Sequence, residues 1–429
     1  MSSNAPVDKS MVINESLEAL ALVLEYNNRD FPDHQHGRRV GEGCALIGEK
    51  LGLPPRKLQQ MYYAGLLHDI GKISIDINLL GKREKLTDEE FTVIKKHSIF
   101  GSRILATLPG LNDLALMVRW HHEWWNGSGY PDGLAGEEIP IEVRILCAID
   151  CFDSLQTPRL DRDRRSPEDA YTIIEDSRGK QFDPKIIDLV LEMIHEKTLV
   201  PGKSSNKFLT LKKKYIDVPI YGYGEELKAS SMAGLYPILR LFARVIDAKH
   251  KYTRGHSTRV SILSKYLAEK MQLSPSDILK VEIAGLLHDA GKVSVPIGIL
   301  DKPGPPDDKE WEVIKGHAPH SFEILSKVSF LKDIADISAS HHEKYDGTGY
   351  PNHLAGNQIN YLAQIIAISD TYDAITSTRA YRKGLPQEYA YEVIRKGMGT
   401  QFNPNIARIL LDNSPKYISA LFDIHEVND

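Results

Sequence analysis

The chain is poor in cysteine. Its 429 residues include three, Cys44, Cys147 and Cys151. Three thiols cannot build a disulfide framework, and their scarcity fits a reducing compartment. No apolar run reaches the roughly eighteen residues of a membrane span, so no transmembrane helix is expected. The opening residues show no basic stretch leading into an uninterrupted apolar core, so no signal peptide is expected either, and the expected location is the cytoplasm. An excess of positive charge is also missing. Lys and Arg number 53 against 58 Asp and Glu, a net charge of −5, so no overall field draws a nucleic-acid polymer. An anionic ligand would have to be held by local cations or metals. Alternating β-branched patterns are scarce, which leaves helices as the main element. The remaining composition, 42% hydrophobic and 26% charged, is that of a soluble globular protein with room for two or three domains.

What the sequence does have is a copy of itself. AGLLHDIGK at 64–72 returns as AGLLHDAGK at 284–292. The same offset of 220 residues relates His36 to His256, His97 to His317, His121 to His341, Asp150 to Asp370 and Gln181 to Gln401. A period this long is not a solenoid but a duplicated domain. The copies are placed at 12–198 and 232–418, joined by a linker at 199–231 that Pro201, Gly202, Ser204 and Ser205 mark. Residues from Phe208 to Tyr221 alternate enough to suggest a small hairpin, and Lys212 to Lys214 read as a solvated charge run.

Each copy reads as all-α. Val260, Leu263, Leu267 and Met271 recur at helical spacing. Ser274-Pro275-Ser276-Asp277 combines a cap, a proline at the first helical position and an acid. Thr87 with Glu90, and Asp307 with Glu310, are spaced as capping boxes ahead of His97 and His317. The repeated stretch starts as an apolar helical turn and then presents His, Asp, Gly and Lys. Gly71 and Gly291 are read as left-handed residues that stop the helix, which leaves His and Asp in a last turn favourable to cations.

Seven imidazole or carboxylate groups recur per copy. They are His36, His68, Asp69, His97, His121, His122 and Asp150 in the first, and His256, His288, Asp289, His317, His341, His342 and Asp370 in the second. Seven are too many for one tetrahedral zinc and suit two neighbouring ions with mixed nitrogen and oxygen ligands, such as iron or manganese. A structural polar core, copied by the duplication, is the competing account. Asp153 and Asp373, three residues beyond Asp150 and Asp370, lie on the same helical face. Glycine-rich loops, NGSGYPDGL at 126–134 and DGTGYPNHL at 346–354, follow the double histidines. Arg159 and Arg162, with Arg379 and Arg382, are candidate phosphate contacts. Cys147 and Cys151 are helical neighbours, which invites a metal reading. Their counterparts are Ala367 and Thr371, so buried small side chains are the better account.

Together these residues resemble the HD-GYP family. The resemblance rests on HDxGK at 68–72 and 288–292, HHE followed by Gly-Tyr-Pro at 121–131 and 341–351, and the aspartates of IDCFD and SDTYD, and it covers both repeats. It implies an all-helical, metal-dependent phosphodiesterase of cyclic dinucleotides, cyclic di-GMP or 3′,3′-cyclic GMP–AMP, giving linear 5′-phosphorylated products. It makes the seven groups of each copy metal ligands, with Asp69 and Asp289 bridging. Lys72 and Lys292 become phosphate contacts that offset charge during catalysis. Asp153, Asp373, the four arginines, and the loop residues Gly129, Tyr130, Pro131, Gly349, Tyr350 and Pro351 become substrate-binding positions. Members with a third metal carry a glutamate four residues before the first histidine. Here those positions are Pro32 and Tyr252, so two metals are expected per copy, iron first and manganese second. Asp161 stands where the second copy has Tyr381, and Asn352-His353 follows the second Gly-Tyr-Pro. Two other functions stay open: an HD phosphohydrolase acting on other nucleotides, and a silent cyclic-dinucleotide receptor or scaffold whose Gly-Tyr-Pro loops meet a cyclase domain.

Overall fold

Capping residues start the helices as their spacing suggests. In the computed structural model Ser274 Oγ accepts the Asp277 N–H at 3.2 Å and Pro275 takes the first position of the helix Pro275–Leu287. Thr87 and Glu90 form a reciprocal box at the start of Asp88–Lys95, and Asp307 and Glu310 do so at Asp308–Lys315. Each such cap stabilises its helix by about 1 kcal/mol. The structure describes residues 9–27, 35–158 apart from 83 and 109, 165–199, 206–218, 239–243, 255–377 apart from 303, and 384–426. Among these residues the chain is helical throughout, with isolated bridges and no strand. None of the described helices is long and apolar enough to cross a membrane.

The chain divides into two compact units, 1–237 and 238–429. In the first, His36–Lys50 packs on Pro55–Leu67 and on Ile141–Gln156, with His97–Ala106 and Asn112–Trp120 completing the site. The second repeats this with His256–Lys270, Pro275–Leu287, Tyr361–Thr376, His317–Ser326 and Lys332–Ala339. Small residues let the leading pair of helices approach. A Cβ on Gly65 would fall 2.6 Å from Gly41 Cα, and one on Gly285 would fall 2.8 Å from Ser261 Cα. That approach brings the start of one helix, His36 or His256, beside the end of the next, His68 or His288. Val40, Ile47, Leu67 and Val143, with Val260, Leu263, Leu287 and Ile365, are fully buried around these contacts. Each such side chain contributes roughly 1.5–3 kcal/mol.

One interior polar pair shows how the copies diverged. Arg144 Nη1 donates to buried Asp183 at 2.8 Å in the first unit. At the matching positions of the second, Asn403 Nδ2 donates to Gln364 Oε1 at 2.7 Å. An ion pair in one unit is thus an amide pair in the other.

The expected hairpin is a correction. Asn206–Leu211 is α-helix and Lys212–Ile216 continues as π-helix. Phe208, Leu211 and Ile216 are buried on one face, so their spacing is helical rather than alternating. Phe208 stacks on Tyr62 at 5.7 Å, and the amides of Asn14 and Gln59 donate to the carbonyls of Ile216 and Val218. This part of the expected linker therefore packs within the first unit. Of the expected solvated run, Lys213 and Lys214 are exposed, while Lys212 is part-buried and pairs with Glu18 at 3.1 Å. Residues 219–221 lie outside the described residues.

Candidate metal centre

Each helix end aims a histidine inward, and the backbone fixes its tautomer. The rings of His68, His97 and His121 donate from Nδ1 to the carbonyls of Gly65, Ile94 and Val118, each three residues back, at 2.7, 2.8 and 2.7 Å. His288 and His317 do the same to Gly285 and Ile314, at 2.8 and 2.6 Å, and His341 to Ser338. A carbonyl only accepts, so Nδ1 carries the proton and Nε2 keeps its lone pair. In the first unit the Nε2 atoms of His97 and His121 then face each other at 3.2 Å. Two lone pairs at that distance repel unless a cation lies near both. In the second unit His288 Nε2, His341 Nε2 and Asp289 Oδ1 are buried without a hydrogen-bond partner.

The central carboxylate splits its oxygens. Asp69 Oδ2 lies 3.5 Å from His68 Nε2, and Oδ1 lies 3.6 Å from His97 Nε2. Asp289 Oδ2 lies 3.3 Å from His288 and 3.5 Å from His256, while Oδ1 lies 3.6 Å from His317. Asp150 closes the first unit's set at 3.2 Å from His36 Nε2, and Asp370 the second's at 3.4 Å from His256 Nε2. The donor atoms gather as His97, His121 and His122 beside His36, His68 and Asp69, and as His317, His341 and His342 beside His256, His288 and Asp370, within 4.8 Å inside each group. These clusters could hold divalent metal, with nitrogen and oxygen donors mixed as transition ions prefer.

Charge distribution agrees with that fit. Burial would raise the Asp69 carboxyl, but Lys72, His68 and His97 outweigh it and hold it well below the usual range. Burial and the neighbouring imidazole of His97 push His122 down to about 3. Burial, with His288 and His317, does the same to His341, also to about 3. His36 goes the other way. Burial lowers it, yet Asp150 and Asp153 carry it up to about 9, and a metal ion would replace the proton it holds. Lys72 Nζ and Lys292 Nζ reach Asp69 and Asp289 at 2.8 and 2.6 Å from a partly open rim.

Asp153 and Asp373 are not where a substrate contact was expected. Asp153 Oδ2 holds His36 Nδ1 at 2.7 Å and Oδ1 takes Arg39 Nε at 2.6 Å. Asp373 holds His256 at 2.7 Å and Arg259 at 2.5 Å. Both carboxylates are buried behind the histidine, and three residues along the helix carries them past the metal-facing side. Carboxylates so placed orient the imidazole ring. Arg39 and Arg259, not anticipated from the sequence, fix those carboxylates in turn. Gly71 and Gly291 are also a correction. Neither has a positive φ; both lie in 3₁₀ turns, Ile70–Ser74 and Ala290–Ser294. A Cβ on them would fall 1.8 and 1.9 Å from the carbonyl oxygens of His97 and His317. Close approach of two backbones requires glycine there.

The glycine-rich loop folds onto the double histidine. Tyr130 N–H donates to the His122 carbonyl at 3.1 Å and Tyr350 N–H to that of His342 at 3.2 Å. Each tyrosine ring lies on the same histidine, 4.8 Å between centroids. Pro131 and Pro351 follow these tyrosines. Gly129 and Gly349 press on the backbones of Trp124 and Lys344 without room for a side chain. Glu123, also unanticipated, accepts the N–H groups of Asp132, Gly133 and Leu134, and Glu343 those of Asn352 and Leu354. The HHE string was the available signal. The repeated glutamines act through backbone. Gln181 and Gln401 carbonyls accept the Trp125 and Tyr345 N–H groups. Arg159, Arg162, Arg379 and Arg382 lie outside the described residues, as do Pro32 and Tyr252.

Comparison with known proteins gives the family and the fold. The HD domain family model matches residues 25–186 and 240–406. The 3′3′-cGAMP-specific phosphodiesterase 3 of Vibrio cholerae is 33% identical over 286 residues, 66% of this chain and 59% of that protein. A cyclic di-GMP phosphodiesterase of Thermotoga maritima is 38% identical over 186 residues, 43% of this chain and 50% of that protein. The chain thus spans between half and three fifths of the length of these two relatives. A solved cyclic GMP-AMP specific phosphodiesterase of V. cholerae superposes with a TM-score of 0.62 at 24% identity, covering 96% of this chain and 97% of that one. This last likeness shows the fold.

Proposed function

The chain belongs to the HD domain family, with the HD-GYP signature in both repeats, and from that premise we propose that it is a metal-dependent phosphodiesterase of cyclic dinucleotides. One observation carries the reading: the two oxygens of Asp69, and of Asp289, face two different histidine groups. A carboxylate so placed would serve two ions once they were bound. His36, His68 and Asp150 would hold one and His97, His121 and His122 the other. His256, His288 and Asp370 would do so opposite His317, His341 and His342. Iron is the first choice and manganese the second, two ions per unit, because the donors are mixed and borderline in softness. Such a pair, when bound, supplies Lewis acidity and water activation at neutral pH.

The chain's own groups do the rest. Carbonyl-locked Nδ1–H groups keep the Nε2 lone pairs of His68, His97, His121, His288, His317 and His341 aimed at the centre, so little reorganisation of these rings is needed on binding. Lys72 and Lys292, at the rim, meet the phosphodiester and offset charge on its oxygens. A water oxygen adds to phosphorus, the 3′-oxygen leaves and takes up a proton, and a linear 5′-phosphorylated dinucleotide results. The names of the relatives support cyclic di-GMP and 3′,3′-cyclic GMP–AMP as the substrates to test. Anaerobic product analysis with iron or manganese, both dinucleotides and ordinary nucleotides side by side, tests the reading. Linear dinucleotide is expected. Turnover of ordinary nucleotides alone would point to a general phosphohydrolase, and tight binding without turnover in metal-replete protein to a receptor.

A further inference from the structure

A line of contacts runs outward from the histidines of the first unit. Tyr130 lies on His122, and Lys95 Nζ stands 5.3 Å from the Tyr130 ring centroid and 4.9 Å from that of Phe91. Phe91 and Lys95 are four apart on Asp88–Lys95 and share a face. That helix buries none of its residues, and Phe91 is 44% exposed, so packing does not account for the ring. The second unit repeats the arrangement. Tyr350 lies on His342, Lys315 Nζ is 5.9 Å from the Tyr350 centroid, and Trp311, four residues earlier, is 43% exposed on an equally unburied helix. One exposed aromatic residue means little. Here the same register is aromatic twice, and each time it stands one helical turn from a lysine that lies over the loop tyrosine.

Resting on the phosphodiesterase reading above, we propose that Phe91 and Trp311 are the platforms on which a nucleobase of the cyclic dinucleotide stacks, with Lys95 and Lys315 presented to its edge. Stacking on an aromatic side chain accepts any base. The lysine adds selection: an ammonium only donates, so it matches the O6 and N7 acceptors of guanine and mismatches the adenine N6 amino group. The two lips differ in this respect. Lys315 is paired with Glu312 at 2.7 Å, which places an acceptor beside the donor. Thr92 holds that position in the first unit, and Lys95 has no carboxylate partner among the described residues. The first lip is therefore the guanine-selective one.

The test uses the full chain loaded with manganese and the phosphorothioate analogues of cyclic di-GMP and 3′,3′-cyclic GMP–AMP, which resist hydrolysis. Trp311→Phe keeps the ring and removes the fluorophore, so the difference from wild type isolates Trp311 emission. A saturable quench in that difference is expected. Phe91→Ala and Trp311→Ala should each weaken one binding phase by roughly tenfold or more, the range for one base stacked on an aromatic side chain. Melting temperature and metal content should hold, and KM for the natural dinucleotides should rise while kcat is kept. Lys95→Met should reduce the preference for cyclic di-GMP in the first phase. Wild type that binds, with unchanged affinity in both alanine variants and no Trp311 quench, overturns the platform alone. Wild type that neither binds nor hydrolyses either dinucleotide overturns the phosphodiesterase reading and the platform with it.

Discussion

Gly291→Ala is a small change that should disable the second unit's centre. A Cβ at this position would lie 1.9 Å from His317 O and 2.5 Å from Ser321 N. Both are backbone atoms, so no side chain can swing aside. Real Cβ contacts essentially never fall below 3.0 Å, so the start of His317–Ser326 must retreat by roughly an ångström. His317 is the first residue of that helix, and its Nε2 faces Asp289 Oδ1 at 3.6 Å. Overpacking of this kind costs about 1–3 kcal/mol, and a 1 Å misplacement at a reacting centre costs on the order of 10²-fold in rate. The expected result is a melting temperature several degrees lower and loss of the second unit's metal by elemental analysis. Gly298→Ala is the control, because a Cβ there meets nothing within 4 Å. Gly291→Asn separates the two explanations for the glycine. A left-handed helix stop would tolerate asparagine, whereas close approach rejects it as firmly as alanine. Wild-type metal content and stability in either substitution would refute the close-approach argument.

Asp373→Asn should lower metal affinity by about 10–100-fold without removing a ligand, because His256 loses the carboxylate that orients it; metal titration measures this, and unchanged affinity would show that the contact is incidental. Asp69→Ala and Asp289→Ala should each remove activity from one unit, and the second is expected to cost more because Lys302-Pro303-Gly304 and TSTRAYRKG of the second copy resemble the HD-GYP pattern more than LLGKREKLT and TPRLDRDRR of the first; steady-state rates decide, and full activity in the double variant would eliminate the assigned centre. In chelator, stability should fall as pH drops from about 6.5 towards 4. His122, His317 and His341 have folded pKa values of about 3, 4 and 3, so the unfolded chain binds protons first across that window. His36, raised to about 9, contributes the opposite slope: its stabilisation is complete below 6.5 and is lost as pH rises towards 9. Thermal melts against pH check both, and a flat profile between 6.5 and 4 contradicts the histidine assignment. Arg144→Gln should cost about 3 kcal/mol by stranding the buried Asp183 carboxylate, and adding Asp183→Asn should restore most of it by installing the second unit's amide pair; a double-mutant cycle in denaturant measures the coupling.

The helical fold was legible because its signals are local. Ser274, Thr87 and Asp307 cap where their spacing says, and the double histidines follow directly on helix ends. The clusters were legible because duplication presented the same residue types twice. What escaped was spatial. Asp150 and Asp153 share a helical face in sequence, but one faces His36 Nε2 and the other grips Nδ1 from behind. No spacing rule distinguishes the two sides of an imidazole. Arg39 and Arg259 gave no signal in the sequence because their partner lies 114 residues along the chain. Gly71 and Gly291 looked like helix stops because glycine serves both turns and close approach, and only the neighbouring helix tells which applies. The supposed hairpin failed because alternation was read over a segment whose buried residues do not alternate: Phe208 and Leu211, three apart, share a face on a helix and not on a strand.

The two units differ at the rim and not at the centre. All seven donor groups recur, and every histidine with a described Nδ1 contact is held in the same way. Around them, Arg119 and Trp120 clamp Asp132 in the first unit, while the second has Ala339, Ser340 and Asn352 there. Gly133, at φ 72°, is replaced by His353 at φ 55°, a left-handed position that histidine tolerates better than most side chains. Phe91 becomes Trp311, and Lys95 gains a carboxylate neighbour as Lys315. A unit that had become purely structural would be free to lose ligands, since buried imidazoles with unpartnered nitrogens destabilise a fold that gains nothing from metal. Retention of both sets alongside divergence of both rims therefore argues that the copies differ in what they admit, not in whether they bind metal.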